Sequence, residues 1–179
     1  AFFDLIHYDP RNAATVANLD SLSTNNIASY TPGYNNTGYF FAKYMGLTTQ
    51  AAANTPELNF GIDEYEMRLA DTYLMEAEAL MNAGAAVGVG SRAYVLLNAV
   101  RARVSLNPVA VTQVNIEKER RLELAGEGQR FPDLVRWGKA AATLSYKGFI
   151  AGRHEVFPIP QSELNNTKIE QNKEWGGSK

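Results

Sequence analysis

The residues best equipped for chemistry in this chain lie between positions 117 and 138. Glu117, Glu119, Glu123 and Glu127 supply four carboxylates, and Glu119 and Glu123, four residues apart, share one face of a helix. Two carboxyl groups facing each other are the equipment of glycoside hydrolysis, one as acid and one as nucleophile or base. The same run also holds Arg120, Arg121, Arg130 and Arg136, with Asp133 among them. Carboxylates beside guanidinium groups stay ionised and pair. The simpler reading is a structural ion-pair network, with no catalytic residue assigned and Arg121 taken as a buried member. His7 and His154 are the only histidines and stand far apart. No helical His pair or Glu-x-x-His accompanies them, so neither a metal site nor a histidine-based triad is supported. The chain has no cysteine, which excludes disulfides, thiolate metal sites and a thiol nucleophile. Gly88-Val89-Gly90 lacks a phosphate-loop lysine and a third glycine, so it reads as a linker. No cofactor is implied.

A second kind of chemistry is binding through aromatic rings. Tyr30, Tyr34, Tyr39 and Tyr44 fall, with Phe40 and Phe41, in a stretch dominated by Asn, Thr, Ser and Gly. Long polar irregular segments in compact domains tend to carry function. These four tyrosines are the candidate ligand contacts, with Tyr30 and Tyr34, beside Pro32-Gly33 and Asn36, expected to be the most exposed. Trp137, at helical spacing, reads as core, and Trp175 as either core or platform.

The elements that must position these residues follow from periodicity. Residues 1–61 form a loop-rich segment: Asp9-Pro10 marks a boundary, a short helix is expected over about 11–18, and a short strand at Tyr39–Tyr44. Residues 62–179 read as a helical scaffold. Met67, Ala70, Tyr73 or Leu74, Ala77 and Leu80 or Met81 recur at three- and four-residue spacing, with Asp63 and Glu66 as a candidate capping box and a stop at Gly84. Ser91 caps a second helix with Ala93, Leu96, Leu97, Val100 and Val104 on its face, closed by Pro108. Thr112 caps a third through about Gly126, and Pro132 sits in the first turn of a fourth. Two helix hairpins in one domain suggest an all-α fold with stacked, tetratricopeptide-like packing behind an irregular N-terminal segment. After Phe157-Pro158-Ile159-Pro160, where Ser162 is a candidate cap for a single turn, the tail is expected to run irregularly to a loose end.

The 179 residues, 45% hydrophobic and 20% charged, are enough to bury a core. A net charge of −2 offers no electrostatic reason to expect nucleic acid as partner. No apolar run approaches the length of a membrane span. With no signal peptide and no initiating methionine at Ala1, the chain reads as part of a longer protein.

Several segments, in order, resemble the SusD/RagB family of nutrient-binding lipoproteins. They are Asp9-Pro10-Arg11; a helix led by Arg68 and rich in Leu, Ala and Glu; Asn98-Ala99-Val100-Arg101; the run 119–138; and Pro158-Ile159-Pro160-Gln161 with Gln171-Asn172 near the end. The structural signature residues are Arg68, Glu119, Arg120, Arg121, Glu123, Glu127, Arg130, Asp133, Arg136 and Trp137. Gln129 and Pro132 depart from the family's usual aromatic or His and its Phe-Phe-Asp-Leu. The likeness spans nearly the whole chain, which corresponds to the C-terminal part of much longer members. It implies an all-helical protein, not an enzyme, lipid-anchored on the outer-membrane cell surface through a segment absent from this chain. It implies a polysaccharide or oligosaccharide ligand, a SusC-like TonB-dependent transporter as partner, and contact with the missing N-terminal part of the same protein. A peptide ligand, or a helical-repeat module that binds proteins, is the alternative.

Overall fold

The computed structural model describes residues 2–34, 36–46, 65–165 and 167–177. Its compact units are Ala1–Glu127 and Gly128–Lys179. The change of sequence character placed at 61/62, and the Asp63 end of the capping box, lie outside the described residues.

In the first unit the chain begins with helix α1 (Phe2–Ile6), a four-residue turn of helix α2 (Asn12–Thr15), strand β1 (Val16–Asn18) and helix α3 (Leu19–Thr24). Strand β2 (Tyr39–Phe41) then runs antiparallel to β1, pairing Val16 with Phe41, Ala17 with Phe40 and Asn18 with Tyr39. A 3-10 turn over Ala42–Tyr44 follows. The helix expected over 11–18 is thus half its length, because Val16 turns extended and joins the ladder. The strand expected at 39–44 stops at Phe41 for the same kind of reason: Ala42 begins a turn that brings Lys43 to its ion-pair partner.

Helices α4 (Leu69–Asn82), α5 (Arg92–Ala102) and α6 (Gln113–Glu123) build the core, with α4 packed on both of the others. Leu74, Ala77, Ala93, Leu96, Leu97, Val100, Val111 and Ile116 form its buried centre. Ser91 and Thr112 do cap their helices, each accepting from the backbone N–H three residues on. Gly84, at φ +74°, ends the α4 turn in the left-handed region. Met67 is 70% exposed, because the helix starts only at Leu69, two residues beyond it. Helix α5 stops at Ala102, short of Pro108. The intervening loop is pinned by Asn98, whose amide donates to the carbonyl oxygens of Tyr94 and Val109 and accepts from Val109 N–H at 2.8 Å.

The second unit contains α7 (Arg130–Arg136), α8 (Ala140–Leu144) and α9 (Gln161–Asn165). Pro132 stands at the third position of α7, where a missing N–H costs no intrahelical bond. The tail is not loose. The Gln171 side chain donates to and accepts from the Ile159 backbone, both at 2.9 Å, and Asn172 donates to the Phe157 carbonyl. Flanking prolines at 158 and 160 have no N–H to give, so Ile159 is the one residue of that triplet able to bond in both directions.

Candidate functional site

Glu119, Glu123 and Glu127 project from one side of α6 and the turn that follows it, as their spacing of four requires. What meets them is a set of cations from distant parts of the chain. Arg11 donates to Glu119 at 2.7 Å and to Glu123 at 2.9 Å, while its Nε and other terminal nitrogen hold Asp9. Arg101 donates to the second oxygen of Glu119. Arg68 forks between Glu123 and Glu127 and also donates to the Glu123 carbonyl at 2.6 Å. Lys43 donates to Glu127 and to the same carbonyl. That carbonyl is at the C-terminal end of α6, where the helix dipole favours positive charge. Arg103 reaches Glu123 from a 59% exposed side chain.

Glu123, Glu127 and Asp9 are held in their ionised form. Burial alone would raise the Glu123 carboxyl, but hydrogen bonds from Arg68 and Arg11 outweigh it and hold it below its ordinary value. Glu127 is held down in the same way by Arg68 and Lys43, and Asp9 by Arg11. Burial lowers the Lys43 ammonium despite its carboxylate partner. Each acid that would serve as a proton donor is thus saturated with donors, an arrangement for holding segments together.

The local arginines of the run go elsewhere. Arg120 is the buried one, 2% exposed, and pairs with Asp71 of α4 at 2.7 Å. Arg121, expected to be buried, is half-exposed, with its guanidinium 5.9 Å from the Phe2 ring centroid. In the second unit Arg136 pairs with the buried Asp133 and lies 4.6 Å over Trp137, which is half-buried. Arg130, also half-buried, opens α7. Sequence reasoning missed Lys43 and Arg103 and did not see that Arg11, Arg68 and Arg101 converge. The signal was present in the short segments quoted above: three of those five meet on the glutamates.

The four candidate tyrosines are not brought together. Tyr34 is 97% exposed in the loop between α3 and β2. Tyr30 is half-buried. Its hydroxyl donates to Asp20, which raises its pKa, accepts from Asn36, and its ring meets Phe40 edge-on at 6.0 Å. Tyr39 lies on the opposite face of the β1–β2 pair from Phe40 and packs on Phe3 at 4.6 Å between ring centroids. Tyr44 is partly exposed in the 3-10 turn. In the second unit Phe131, Phe149, His154, Phe157 and Trp175 line an almost wholly apolar cup of about 370 Å³. The indole N–H there donates to the Arg153 and Val156 carbonyls, which anchors Trp175 as a packing residue.

Among the described residues no helix is long and apolar enough to cross a membrane, and no group of three His, Asp or Glu side chains is placed to hold a metal ion.

A helix-hairpin core tied to an irregular N-terminal segment by a buried ion network defines an all-α scaffold of the tetratricopeptide-like kind. The chain belongs to the SusD family, which it matches over residues 18–148. It is similar to a laminarin-binding SusD-like protein of known structure, with 53% identity and a TM-score of 0.85 over 96% of this chain and 36% of that one. It is also similar to surface glycan-binding protein A from Bacteroides thetaiotaomicron, solved in complex with laminarihexaose. There the identity is 34% and the TM-score 0.76, over 94% of this chain and 39% of that one. A SusD-like protein of Formosa agariphila is 30% identical over 128 residues, which is 62% of this chain and 24% of the relative. The chain therefore spans well under half the length of each of these relatives.

Proposed function

We propose that this chain is part of a surface glycan-binding protein that takes laminarin-type glucan and presents it to a SusC-like TonB-dependent transporter. The observation that carries this reading is the 53% identity, over 96% of the chain, to a protein that binds laminarin. The relative in complex with laminarihexaose supports the same ligand class. The chemistry agrees. Sugar rings stack a C–H face on an aromatic plane and offer hydroxyls to amide side chains, and the first unit displays Tyr34, Tyr39 and Tyr44 beside many Asn and Thr residues. Its clustered carboxylates are locked in ion pairs, so the protein binds glucan without cleaving it. Family membership supports an outer-membrane, cell-surface location with a lipid anchor supplied by chain beyond this sequence.

Titration with laminarin and laminarihexaose, followed by calorimetry and intrinsic fluorescence, tests the reading. Saturable binding with no release of shorter sugars is the expected result. Absence of binding to both, or appearance of hydrolysis products from pure protein, sinks it. Within this reading Tyr34→Ala weakens binding if the exposed loop is a contact, and unchanged affinity removes the loop from the site.

A further inference from the structure

The antiparallel register of β1 and β2 sets Asn18 directly opposite Tyr39, and the two-residue period puts Val16 on the same face. Helix α1 lies over that face: Phe3 packs on Tyr39 with the ring planes inclined by 49°. Together Phe3, His7, Asn12, Val16, Asn18 and Tyr39 line a cleft of about 450 Å³, the size range of small-ligand sites. Both rings stay partly open to solvent, Phe3 at 42% and Tyr39 at 45%.

The polar side chains around the cleft have hydrogen-bonding capacity to spare. Asn18 uses its Oδ1 to accept from Ser21 N–H and cap α3, which leaves its Nδ2 donors unspent. The Asn12 carboxamide and the His7 ring nitrogens make no hydrogen bond among the described residues. They contrast with Asp9 and Arg11 close by in sequence, whose polar atoms are committed to the ion network. An apolar floor of two aromatic rings with amide donors and acceptors at the edge matches a pyranose. The ring's C–H face lies on carbon and its equatorial hydroxyls point outward to the amides.

Resting on the glucan-binding reading, we propose that this cleft is a sugar-ring subsite. Phe3 and Tyr39 are its stacking surface, and Asn12 and Asn18 are its hydroxyl-reading groups. The cup of the second unit does not qualify, since its lining offers almost no polar partner for hydroxyls.

The test is calorimetric titration of laminarihexaose into the full chain and into variants of it. Asn12→Ala combined with Asn18→Asp removes the amide donors, while the carboxylate introduced at position 18 keeps an acceptor to cap α3. Loss of two net hydrogen bonds predicts about thirtyfold weaker binding with an unchanged thermal midpoint. Tyr39→Leu, which keeps an apolar side chain without a ring, should also bind more weakly than the wild type. Wild-type binding that survives the double substitution overturns the subsite and leaves the glucan reading standing. Failure of the wild type to bind overturns both.

Discussion

At the scale of single residues, burial decides what each charge contributes. Glu123 is 1% exposed and bonded to three arginines. Its replacement by Gln takes one of three carboxylate partners from Arg11, itself 6% exposed, and one of two from Arg68. Breaking a buried pair by removing one partner costs about 3–5 kcal/mol. Chemical denaturation of Glu123→Gln should show a loss of that order. Arg103 contacts the same carboxylate from solvent, where water and salt screen the pair, so Arg103→Ala should cost less than about 1 kcal/mol. If the two variants were equally destabilised, Glu123 would not be the buried hub of the network. Gly126 is constrained by its backbone and its neighbour instead. Its φ is +81°, and a Cβ there would lie 3.0 Å from the Phe41 ring, so the position combines a left-handed turn with close packing.

At the scale of elements, the helices owe their ends to small polar side chains and their stability to contact. Leu97 is fully buried at the centre of the α4, α5 and α6 core. Leu97→Ala should destabilise by about 2–5 kcal/mol through lost burial and the cavity left behind. Asn98, one position on, does a different job: it satisfies both backbone groups of Val109 in the loop leading to α6 and bonds the Tyr94 carbonyl of α5. Asn98→Ala should cost about 1–3 kcal/mol, because Val109 N–H and its carbonyl lose their partner. Hydrogen exchange would localise the effect. Faster exchange at Val109 in Asn98→Ala, with the Leu97→Ala effect spread over the core amides, is the expected pattern. The short elements β1 and β2 are too small to persist alone. They are held because their face is covered by α1 and because Lys43, just beyond β2, is anchored to the end of α6.

At the scale of the molecule, the carboxylates tie stability to pH. Glu123, Glu127 and Asp9 all titrate below their ordinary values in the folded chain. Groups with depressed folded pKa values contribute stability that is fully present above the unfolded value and is lost as pH falls through the folded one. For glutamate that window opens at the ordinary value near 4.5 and extends downward. The thermal midpoint should therefore hold from neutrality to about pH 5 and fall steeply below it. In Glu123→Gln/Glu127→Gln the midpoint should start lower and fall less, so the two curves approach each other in acid. Parallel curves would mean that these carboxylates do not carry the acid sensitivity. Because the network spans the turn before α2, the Lys43 turn, the residue that opens α4, and α5 and α6, acid should loosen the N-terminal segment and the helical core of the first unit together.

Much of this was legible in the linear chain, for a local reason. Helix caps at Ser91 and Thr112, the glycine stop at Gly84, the apolar faces of α4 and α5 and the shared face of Glu119 and Glu123 all depend on residues within a turn or two of one another. Spacing alone reveals these. That the glutamates would be ion-paired also followed from composition, but the arginines crowding the same run are not the partners: Arg120 goes to Asp71 and Arg136 to Asp133. Tertiary structure alone decided which cations meet which acids. Arg11, Lys43, Arg68 and Arg101 lie 18 or more residues from the glutamates they neutralise, and no periodicity encodes an encounter over that distance. The same holds for Gln171 reaching back to Ile159, and for the pairing of Asn18 with Tyr39 that turns two scattered polar and aromatic residues into one cleft. Local order is set by steric and capping rules acting along the backbone. The site is set by chain reversals that bring together residues with no sequence relation.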